Sequence, residues 1–312
     1  MTRGPLTTAT HDALGAPRLW AIGLAGFLAR GGIVLFGLPI LVLPSIVGLT
    51  TFIGPGSVTA AGLDPSFVAL IAVVVVGMAA AVLLGTLVGA AAERALVRAI
   101  VEEHADDPNP DGGAAGSPLA RLVAIRLVAL VPLGLAIAVG GARLAQVGYQ
   151  ELILPSHSTA PFVARVLLAA PEVVAALVAA GLVSELIGAV AVRLAILDHR
   201  GLSGALGGAV VWIVRRPMRC LMVLIATTAG TVVVIGPGLI GGAVAWASAR
   251  SVLLGQFESR AALGSAVLFV ACWMVGLVLA GVAATWRSAA WSLVVMEDHR
   301  GGGPPYRSGG SL

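Results

Sequence analysis

Long apolar segments constrain this chain more than any other feature. Several of them exceed the roughly 20 apolar residues that an α-helix needs to cross about 30 Å of hydrocarbon. Of the 312 residues, 58% are apolar and only 11% are charged. A backbone inside a bilayer must satisfy its own hydrogen bonds, and a helix does so within one segment. The sequence therefore predicts an all-α integral membrane protein with six transmembrane helices.

Polar or Gly/Pro-rich connections separate the six predicted spans. The spans cover approximately residues 31–53, 67–92, 127–147, 166–190, 219–240 and 263–290. A short basic segment precedes three of the spans, and we expect each such segment to form an interfacial helix on the membrane surface. These segments are residues 19–29, 119–126 and 202–216.

Three further regions lie largely outside the predicted spans. Residues 1–17 and the tail 301–312 are polar or of low complexity, and we expect them to be disordered. Residues 18–300 then form a single membrane domain. The connection 237–260 contains Trp246 and is long enough to hold another helix on the outer surface.

A short acidic sequence with a histidine ends every second span. It reads EEH at 102–104, DHRG at 198–201 and EDHRG at 297–301. Arg30, Arg126 and Arg219 precede the corresponding histidines by 74, 73 and 80 residues. Such regular spacing indicates an internal repeat. The sequence predicts three helix-hairpin repeats, at about 18–104, 118–199 and 202–299.

The distribution of arginine predicts the orientation. All 19 basic residues are arginines. Fifteen of them lie on the side of the termini and of the loop 105–118, and four lie on the other side. Basic residues of membrane proteins concentrate in cytoplasmic loops. We therefore expect a protein of the bacterial cytoplasmic membrane with both termini in the cytoplasm, and the basic balance does not indicate a nucleic-acid partner.

Ionisable residues inside the apolar spans are the first functional candidates, because their burial in hydrocarbon is costly. Glu185 lies on the fourth span and Arg287 at a similar depth on the sixth, about 12 and 9 Å inside the boundary at 1.5 Å per residue. This similarity predicts an intramembrane ion pair between them. The pair is either structural, joining the repeats, or part of a substrate or proton site. Glu93 and Arg94 lie at a comparable depth on the second span.

A second pair of opposite charges is predicted near the outer face. Arg143 lies on the third span and Glu172 on the neighbouring fourth span. Both side chains are close enough to the membrane surface to reach water, so we expect a structural role for this pair.

The acid-histidine segments allow two interpretations. Imidazole and carboxylate groups together suit several transition metals. Alternatively, they are helix ends, because histidine and arginine suit the negative pole of a helix and Gly201 and Gly301 suit a left-handed C-cap. We prefer the second interpretation and predict no metal site. The residues concerned are His104, Asp198, His199, Asp298 and His299.

Sequence signatures of common catalytic sites do not occur in the chain. It contains no phosphate-binding glycine loop, no nucleophile elbow, no HExxH and no CxxC. We predict that the protein is not an enzyme and holds no cofactor. Tryptophans near the predicted span ends are expected to be interfacial anchors. They are Trp20, Trp212, Trp286 and Trp291.

The junction LAILDHRGLSGALGGAVVWIVRRPMR at residues 194–219 carries a family resemblance. It resembles the membrane domain that accompanies some glycerophosphodiester phosphodiesterases, and related multi-pass bacterial membrane proteins. The residues that carry it are Gly201, Ala205, Leu206, Trp212, Arg215 and Arg216. The resemblance implies a six-span membrane protein. It implies no phosphodiesterase activity, because the sequence contains no such catalytic domain.

Two functions are compatible with these features. The first is a non-enzymatic structural or accessory component of the membrane that organises lipids. The alternative is a transporter, or the permease subunit of an ATP-driven exporter, whose partners would include an ATPase or other membrane subunits. A lipid-modifying enzyme would need convergent polar groups that the sequence does not display. Membrane lipids are the partners common to both of the first two functions.

The predicted orientation can be tested by labelling single cysteines from outside the cell. We expect a cysteine at Ser158 to react with an impermeant maleimide and one at Asp111 to stay unlabelled, because the arginine distribution puts residue 111 in the cytoplasm. The background would carry Cys220→Ser and Cys272→Ser. Labelling at Asp111 in intact cells would contradict the orientation.

Overall fold

The computed structural model describes residues 4–37, 58–59, 62–63, 65–104, 118–153, 162–253 and 259–300. These residues are helical apart from short connections and one antiparallel pair of two-residue strands, β1 (Val58–Thr59) and β2 (Gly62–Leu63). The helices are α1 (Pro5–Gly15), α2 (Arg18–Phe27), α3 (Ile33–Gly37), α4 (Pro65–His104), α5 (Leu119–Ala129), α6 (Val131–Ile153), α7 (Phe162–Leu168), α8 (Pro171–Leu197), α9 (Leu202–Arg215), α10 (Pro217–Leu253) and α11 (Ser259–Arg300).

Six helical stretches are long and apolar enough to cross a membrane. They are Arg18–Gly37, Val68–His104, Leu119–Glu151, Pro171–Leu197, Pro217–Val252 and Leu263–Asp298. Large apolar side chains on these stretches are exposed, as for Val139, Val233 and Leu263 at 76%, 71% and 70%. Apolar exposure of this extent is typical of a surface that faces lipid. The chain is therefore an all-helical protein with the features of a multi-pass membrane protein.

Proline sets the start of four helices. Pro5, Pro65, Pro171 and Pro217 are the first residues of α1, α4, α8 and α10. A proline is tolerated there because the first amide groups of a helix have no partner inside the helix. The same preference separates α9 from α10, because Pro217 follows the non-helical Arg216 (φ −135°, ψ 53°).

The first membrane stretch is broken where the sequence predicted a junction. Residues Leu28–Gly32 form a kinked turn between α2 and α3, with Arg30 at φ −89°, ψ 19° and Gly31 at φ +103°. A position of residues 19–29 on the membrane surface stays a prediction. Arg18–Gly37 is one apolar helical stretch, and α2 packs against α11, because glycine lets the backbones approach. Residues 38–53 of the predicted first span lie outside the described residues.

The other two predicted lead-in segments form separate helices, α5 and α9. Leu130 (φ −80°, ψ −9°) ends α5 one residue before α6 begins. On α9 the residues Ala205 and Ala209, one turn apart, are buried, whereas Val210 and Val214 are exposed. This pattern gives α9 one face toward the protein. A position of α5 and α9 in the membrane interface stays a prediction.

The prediction of a disordered N-terminal segment is wrong for Pro5–Gly15, which form α1. Ala9 and Ala13 lie one turn apart and are buried, and Ala9 packs against Ile100 of α4 and Leu293 of α11. The indole of Trp20 donates a hydrogen bond to the carbonyl of Ala13 (2.7 Å). Small residues at this spacing let α1 pack closely against its neighbours. The polar composition of residues 1–17 did not indicate this contact.

The predicted surface helix within 237–260 is also not observed in residues 237–253. Helix α10 continues without interruption through Pro237 to Leu253. Close packing explains this continuity: a Cβ at Gly238 would lie 3.1 Å from Cα of Gly276 on α11. Pro237 cannot donate the hydrogen bond of its helical position, and membrane helices tolerate such a loss where neighbouring helices pack against them. Residues 254–258 lie outside the described residues.

Most of the buried core lies toward one end of the bundle, which we call the acid-His end because His104, His199 and Asp298 are found there. The core is built from the last turns of α4, α8 and α11 together with α5 and α9. On α8 every residue from Gly188 to Ile196 is buried. The long helices are thus fixed to one another mainly at this end.

A glycine substitution tests the close packing of α2 on α11. A Cβ at Gly281 would lie 2.5 Å from the carbonyl oxygen of Trp20, a backbone atom that cannot rotate away. We expect Gly281→Ala to lower the free energy of unfolding by about 1–3 kcal/mol. Gly264 on the same helix has nothing within 4 Å, so Gly264→Ala should have no effect or stabilise by up to about 1 kcal/mol. Thermal unfolding in detergent measures both, and equal effects would contradict the packing.

Candidate functional site: a buried charge cluster

One buried carboxylate, that of Glu93 on α4, contacts three guanidinium groups. Its Oε2 accepts hydrogen bonds from Nη2 of Arg30 (2.7 Å) and from Nε of Arg126 (3.0 Å), while Nη2 of Arg126 also contacts it. Its Oε1 accepts a hydrogen bond from Nη1 of Arg193 (3.0 Å). The Glu93 side chain is only 4% exposed. This carboxylate therefore connects segments that are 63, 33 and 100 residues away in sequence.

The backbone break in the first membrane stretch positions Arg30. Gly31 adopts a positive φ of 103°, which only glycine accepts without strain, and this turns the chain beside α4. The Arg30 side chain crosses Gly89, where a Cβ would lie 3.3 Å from the arginine Cγ. Arg30 also donates a hydrogen bond to the Gly89 carbonyl (3.4 Å).

Arg126 and Arg193 approach from the other side. A Cβ at Gly188 of α8 would lie 2.5 Å from Nη1 of Arg126, so glycine leaves room for that guanidinium in the position it occupies. Arg193, 2% exposed, also donates to the Ser288 carbonyl (3.0 Å) and to Oγ of Ser292 (3.2 Å) on α11. These contacts account for most of its donors, as burial of a cation requires.

The predicted partners Glu185 and Arg287 lie together. Nη2 of Arg287 is 3.1 Å from Oε1 of Glu185, and the two side chains are 28% and 29% exposed. They do not form an isolated pair, because Oε2 of Glu185 is 3.8 Å from Nη1 of Arg126. Arg126 therefore joins this pair to the Glu93 centre, and the six residues form one charge cluster.

The charge cluster carries an excess of positive charge. Four guanidinium groups, of Arg30, Arg126, Arg193 and Arg287, face two carboxylates, which leaves two positive charges. Within the described part of the chain these arginines form ion pairs with Glu93 and Glu185 alone. Uncompensated charge in apolar surroundings is costly and is typical of functional positions in membrane proteins.

A cavity of about 190 Å³ lies beside the charge cluster. Arg30, Glu93, Glu185, Arg193 and Arg287 all line it. Its volume is several times the roughly 30 Å³ that one water molecule occupies in the liquid. The cavity is thus large enough for a small polar group as well as water.

Trp291 also lines this cavity, which corrects its predicted role as an interfacial anchor. Its side chain is packed in the core at 1% exposure. The indole nitrogen is buried and has no hydrogen-bond partner among the described residues. A buried donor without a partner is unfavourable and requires an explanation.

The predicted pair of Arg143 and Glu172 also meets, but both side chains are exposed. Nε of Arg143 is 3.5 Å from Oε1 of Glu172, and the side chains are 46% and 59% exposed. Arg143 additionally donates to Oε1 of Gln146 (3.2 Å). An exposed pair at this distance contributes little to stability.

Two of the three acid-histidine segments pair with arginines. Asp198 lies 2.8 Å from Nη2 of Arg200. Asp298 contacts Arg216 and accepts a hydrogen bond from Nε1 of Trp212 (2.8 Å), so Trp212 fixes α9 against α11. Among the described residues no group of three or more histidine, cysteine or acidic side chains is arranged to hold a metal ion.

The remaining acid-histidine segment, EEH at 102–104, pairs with α1. Nε2 of His104 is 3.4 Å from Oδ2 of Asp12, and Nδ1 of His104 is 3.0 Å from the carbonyl of Ile100. Burial raises the pKa of Asp12, and the neighbouring His104 opposes this rise. This contact helps to hold α1 on the bundle.

The predicted left-handed C-cap at Gly201 is wrong. Gly201 is extended (φ −64°, ψ 172°), and the residue with a positive φ is His199 (φ 54°). The chain turns two residues earlier than predicted, because α8 ends at Leu197 and its turn is completed before α9 begins at Leu202. Gly301 and the side chain of His299 lie outside the described residues.

Comparisons with protein-family models, with curated proteins and with solved structures find no match for this chain. The charge cluster is therefore interpreted from its own chemistry.

Sequence reasoning missed the centre of the charge cluster. It placed Glu93 at a depth comparable to that of Glu185 but predicted no partner for it. It used Arg30 and Arg126 only to measure the repeat spacing, and it did not select Arg193 as a site residue. A usable signal was present: Arg193 lies in the apolar run AVAVRLAIL, as Glu185 lies in its own apolar run. The criterion that selected Glu185 also applied to Arg193.

Removing the central carboxylate should be severely destabilising. Glu93→Gln leaves three guanidinium groups, of which those of Arg126 and Arg193 are buried, with one carboxylate fewer, and breaking a buried ion pair typically costs about 3–5 kcal/mol. Glu172→Gln, which removes a carboxylate from the exposed pair, should cost at most about 1 kcal/mol. Denaturation of both variants in detergent provides the measurement. A loss at Glu93 no larger than that at Glu172 would show that the cluster does not stabilise the fold.

Proposed function

We propose that this protein is a non-enzymatic structural or accessory component of the bacterial cytoplasmic membrane that organises lipids. The observation that carries the proposal is the ion-pair network centred on Glu93, which connects α4 with the first membrane stretch, α5 and α8. Each carboxylate of the network contacts at least two guanidinium groups. Such an arrangement fixes helices relative to one another, as a framework requires.

The proposed architecture consists of three helix-hairpin repeats with both termini in the cytoplasm. Arg30 and Arg126 occupy equivalent positions in the first two repeats, 74 and 73 residues before His104 and His199. Both guanidinium groups contact the same Glu93 oxygen. This common target supports the repeat. The arginine distribution and the resemblance to the membrane domain of glycerophosphodiester phosphodiesterases agree with a cytoplasmic-membrane protein.

A lipid-organising role is supported by the shape of the bundle. Packing is concentrated at the acid-His end, whereas large apolar side chains elsewhere are exposed. Membrane lipids are the natural partners of such a surface, since buried apolar area contributes about 25 cal/mol per Å².

A transporter or permease subunit is the second candidate function. The observation that favours it is the cavity beside charges that are only partly neutralised, because intramembrane charges often mark substrate pathways. The two functions differ in what the Glu185–Arg287 pair does, since a transport site must change its contacts during a cycle and a framework must keep them.

A double-mutant cycle at Glu185 and Arg287 tests the structural role. Glu185→Gln leaves the charge cluster with three excess positive charges, and Arg287→Gln leaves it with one. We therefore expect Glu185→Gln to be the more destabilising change. The double variant restores an excess of two positive charges and should recover part of the lost free energy of unfolding. We expect an interaction energy between the two positions of about 0.5–3 kcal/mol.

Thermal unfolding in detergent measures the cycle, and Arg143→Gln with Glu172→Gln is the matched control for a pair of the same chemistry. Purely additive losses at Glu185 and Arg287 would contradict the structural role. Solute flux into vesicles reconstituted with the parent protein, lost in a stably folded double variant, would favour the transporter.

A further inference from the structure

The charge cluster has a net positive charge. The cavity beside it is the place where a compensating anion could bind. Two positive charges remain after Glu93 and Glu185 are counted against the four arginines. In a region of low dielectric constant each uncompensated charge is expensive. An anion in the adjacent cavity would remove this cost without any rearrangement of the ion pairs.

Unused hydrogen-bond donors surround the cavity. A guanidinium group has five N–H donors. Within the described part of the chain, Arg287 contacts a single acceptor residue, Glu185, and Arg30 donates only through Nη2, to Glu93 and Gly89. The exposed fractions of these two side chains, 28% and 35%, exceed those of Arg126 and Arg193, 10% and 2%. Arg30 and Arg287 are therefore the arginines with donors to spare.

The unpaired indole of Trp291 is an independent observation that points to the same ligand. Its N–H is buried, lacks a partner among the described residues and belongs to a side chain that lines the cavity. An indole N–H donates and cannot accept, so the partner must be an acceptor. An anionic oxygen would satisfy both this donor and the charge excess.

We propose that the cavity binds a phosphate group with at most one ester bond, held by Arg30, Arg287 and Trp291. Such a phosphate carries about −1.5 to −2 charges near neutral pH and three or more acceptor oxygens. It would match the two excess positive charges, whereas a carboxylate or a phosphodiester supplies only one. Planar guanidinium groups bind phosphate oxygens in pairs, which gives the site geometric selectivity.

Two sources can supply this phosphate: free inorganic phosphate, or the headgroup of a lipid phosphate monoester such as phosphatidic acid. The proposed phosphate site goes beyond the proposed structural role. Either proposal can be contradicted by experiment without affecting the other. The stability cycle at Glu185 and Arg287 contains no phosphate, and phosphate binding does not require that the protein organise lipids.

The experiment measures binding to the full chain in a non-ionic detergent and a phosphate-free buffer. Inorganic phosphate, dioctanoyl phosphatidic acid, dioctanoyl phosphatidylglycerol and dioctanoyl phosphatidylcholine are titrated separately by calorimetry, with chloride at matched ionic strength. Thermal unfolding is recorded in parallel, because a ligand that binds only the folded state raises the melting temperature.

We expect inorganic phosphate, phosphatidic acid or both to bind more tightly than the phosphodiester, the zwitterionic lipid and chloride. Binding of inorganic phosphate alone identifies a free anion as the ligand, and binding of phosphatidic acid alone identifies the headgroup. Failure of both to bind overturns the proposal, as does equal binding of phosphatidic acid and phosphatidylcholine.

Variants locate the site. Trp291→Phe removes one N–H and keeps an aromatic core side chain, and we expect it to weaken binding about tenfold or more, as loss of a hydrogen bond to a charged group does. Arg287→Lys keeps the charge but loses the planar fork and should weaken binding less than Arg287→Gln. Trp212→Phe is the matched control, because its indole N–H already donates to Asp298 away from the cavity. Unchanged affinity in both Trp291→Phe and Arg287→Gln would overturn the location.

Discussion

The structure depends on a single buried carboxylate. Glu93 holds Arg30, Arg126 and Arg193, which come from three other segments, and the dense core at the acid-His end surrounds these contacts. Helices in a bilayer lack a strong hydrophobic drive toward one another, so close packing of small residues and polar contacts determine their arrangement. Glycines at positions 89 and 188 leave room for the side chains of Arg30 and Arg126. The same small residues therefore allow both close helix packing and the ion pairs.

The net charge of the cluster indicates that it does more than stabilise the fold. A framework that only stabilised the fold would balance its charges, because uncompensated burial is costly. Counted over the described residues, this cluster keeps two positive charges in excess beside a cavity, and the indole N–H of Trp291 has no partner there. Stability and ligand binding therefore share the same arginines, and loss of an arginine should be tolerated better than loss of a carboxylate.

Sequence reasoning predicted the helical class, the six apolar stretches and the partners Glu185 and Arg287, because length, hydropathy and depth can be estimated along one chain. It could not predict the connection of Arg193 to Glu93, since 100 residues separate them and only packing brings α8 beside α4. Docking of α1 through Ala9 was missed for a similar reason: small residues have no hydropathy signal strong enough to indicate a contact. The burial of Trp291 was missed because tryptophan near a helix end suits both an interface and a core.

Hydrogen exchange monitored by mass spectrometry tests most directly whether one carboxylate connects these segments. Backbone amides exchange through local opening, so exchange reports which segments open together. In Glu93→Gln we expect faster exchange in α4, α5 and the end of α8 at once, with little change in the C-terminal half of α10. Faster exchange confined to α4, with α5 and α8 protected as in the parent protein, would contradict the central role of Glu93.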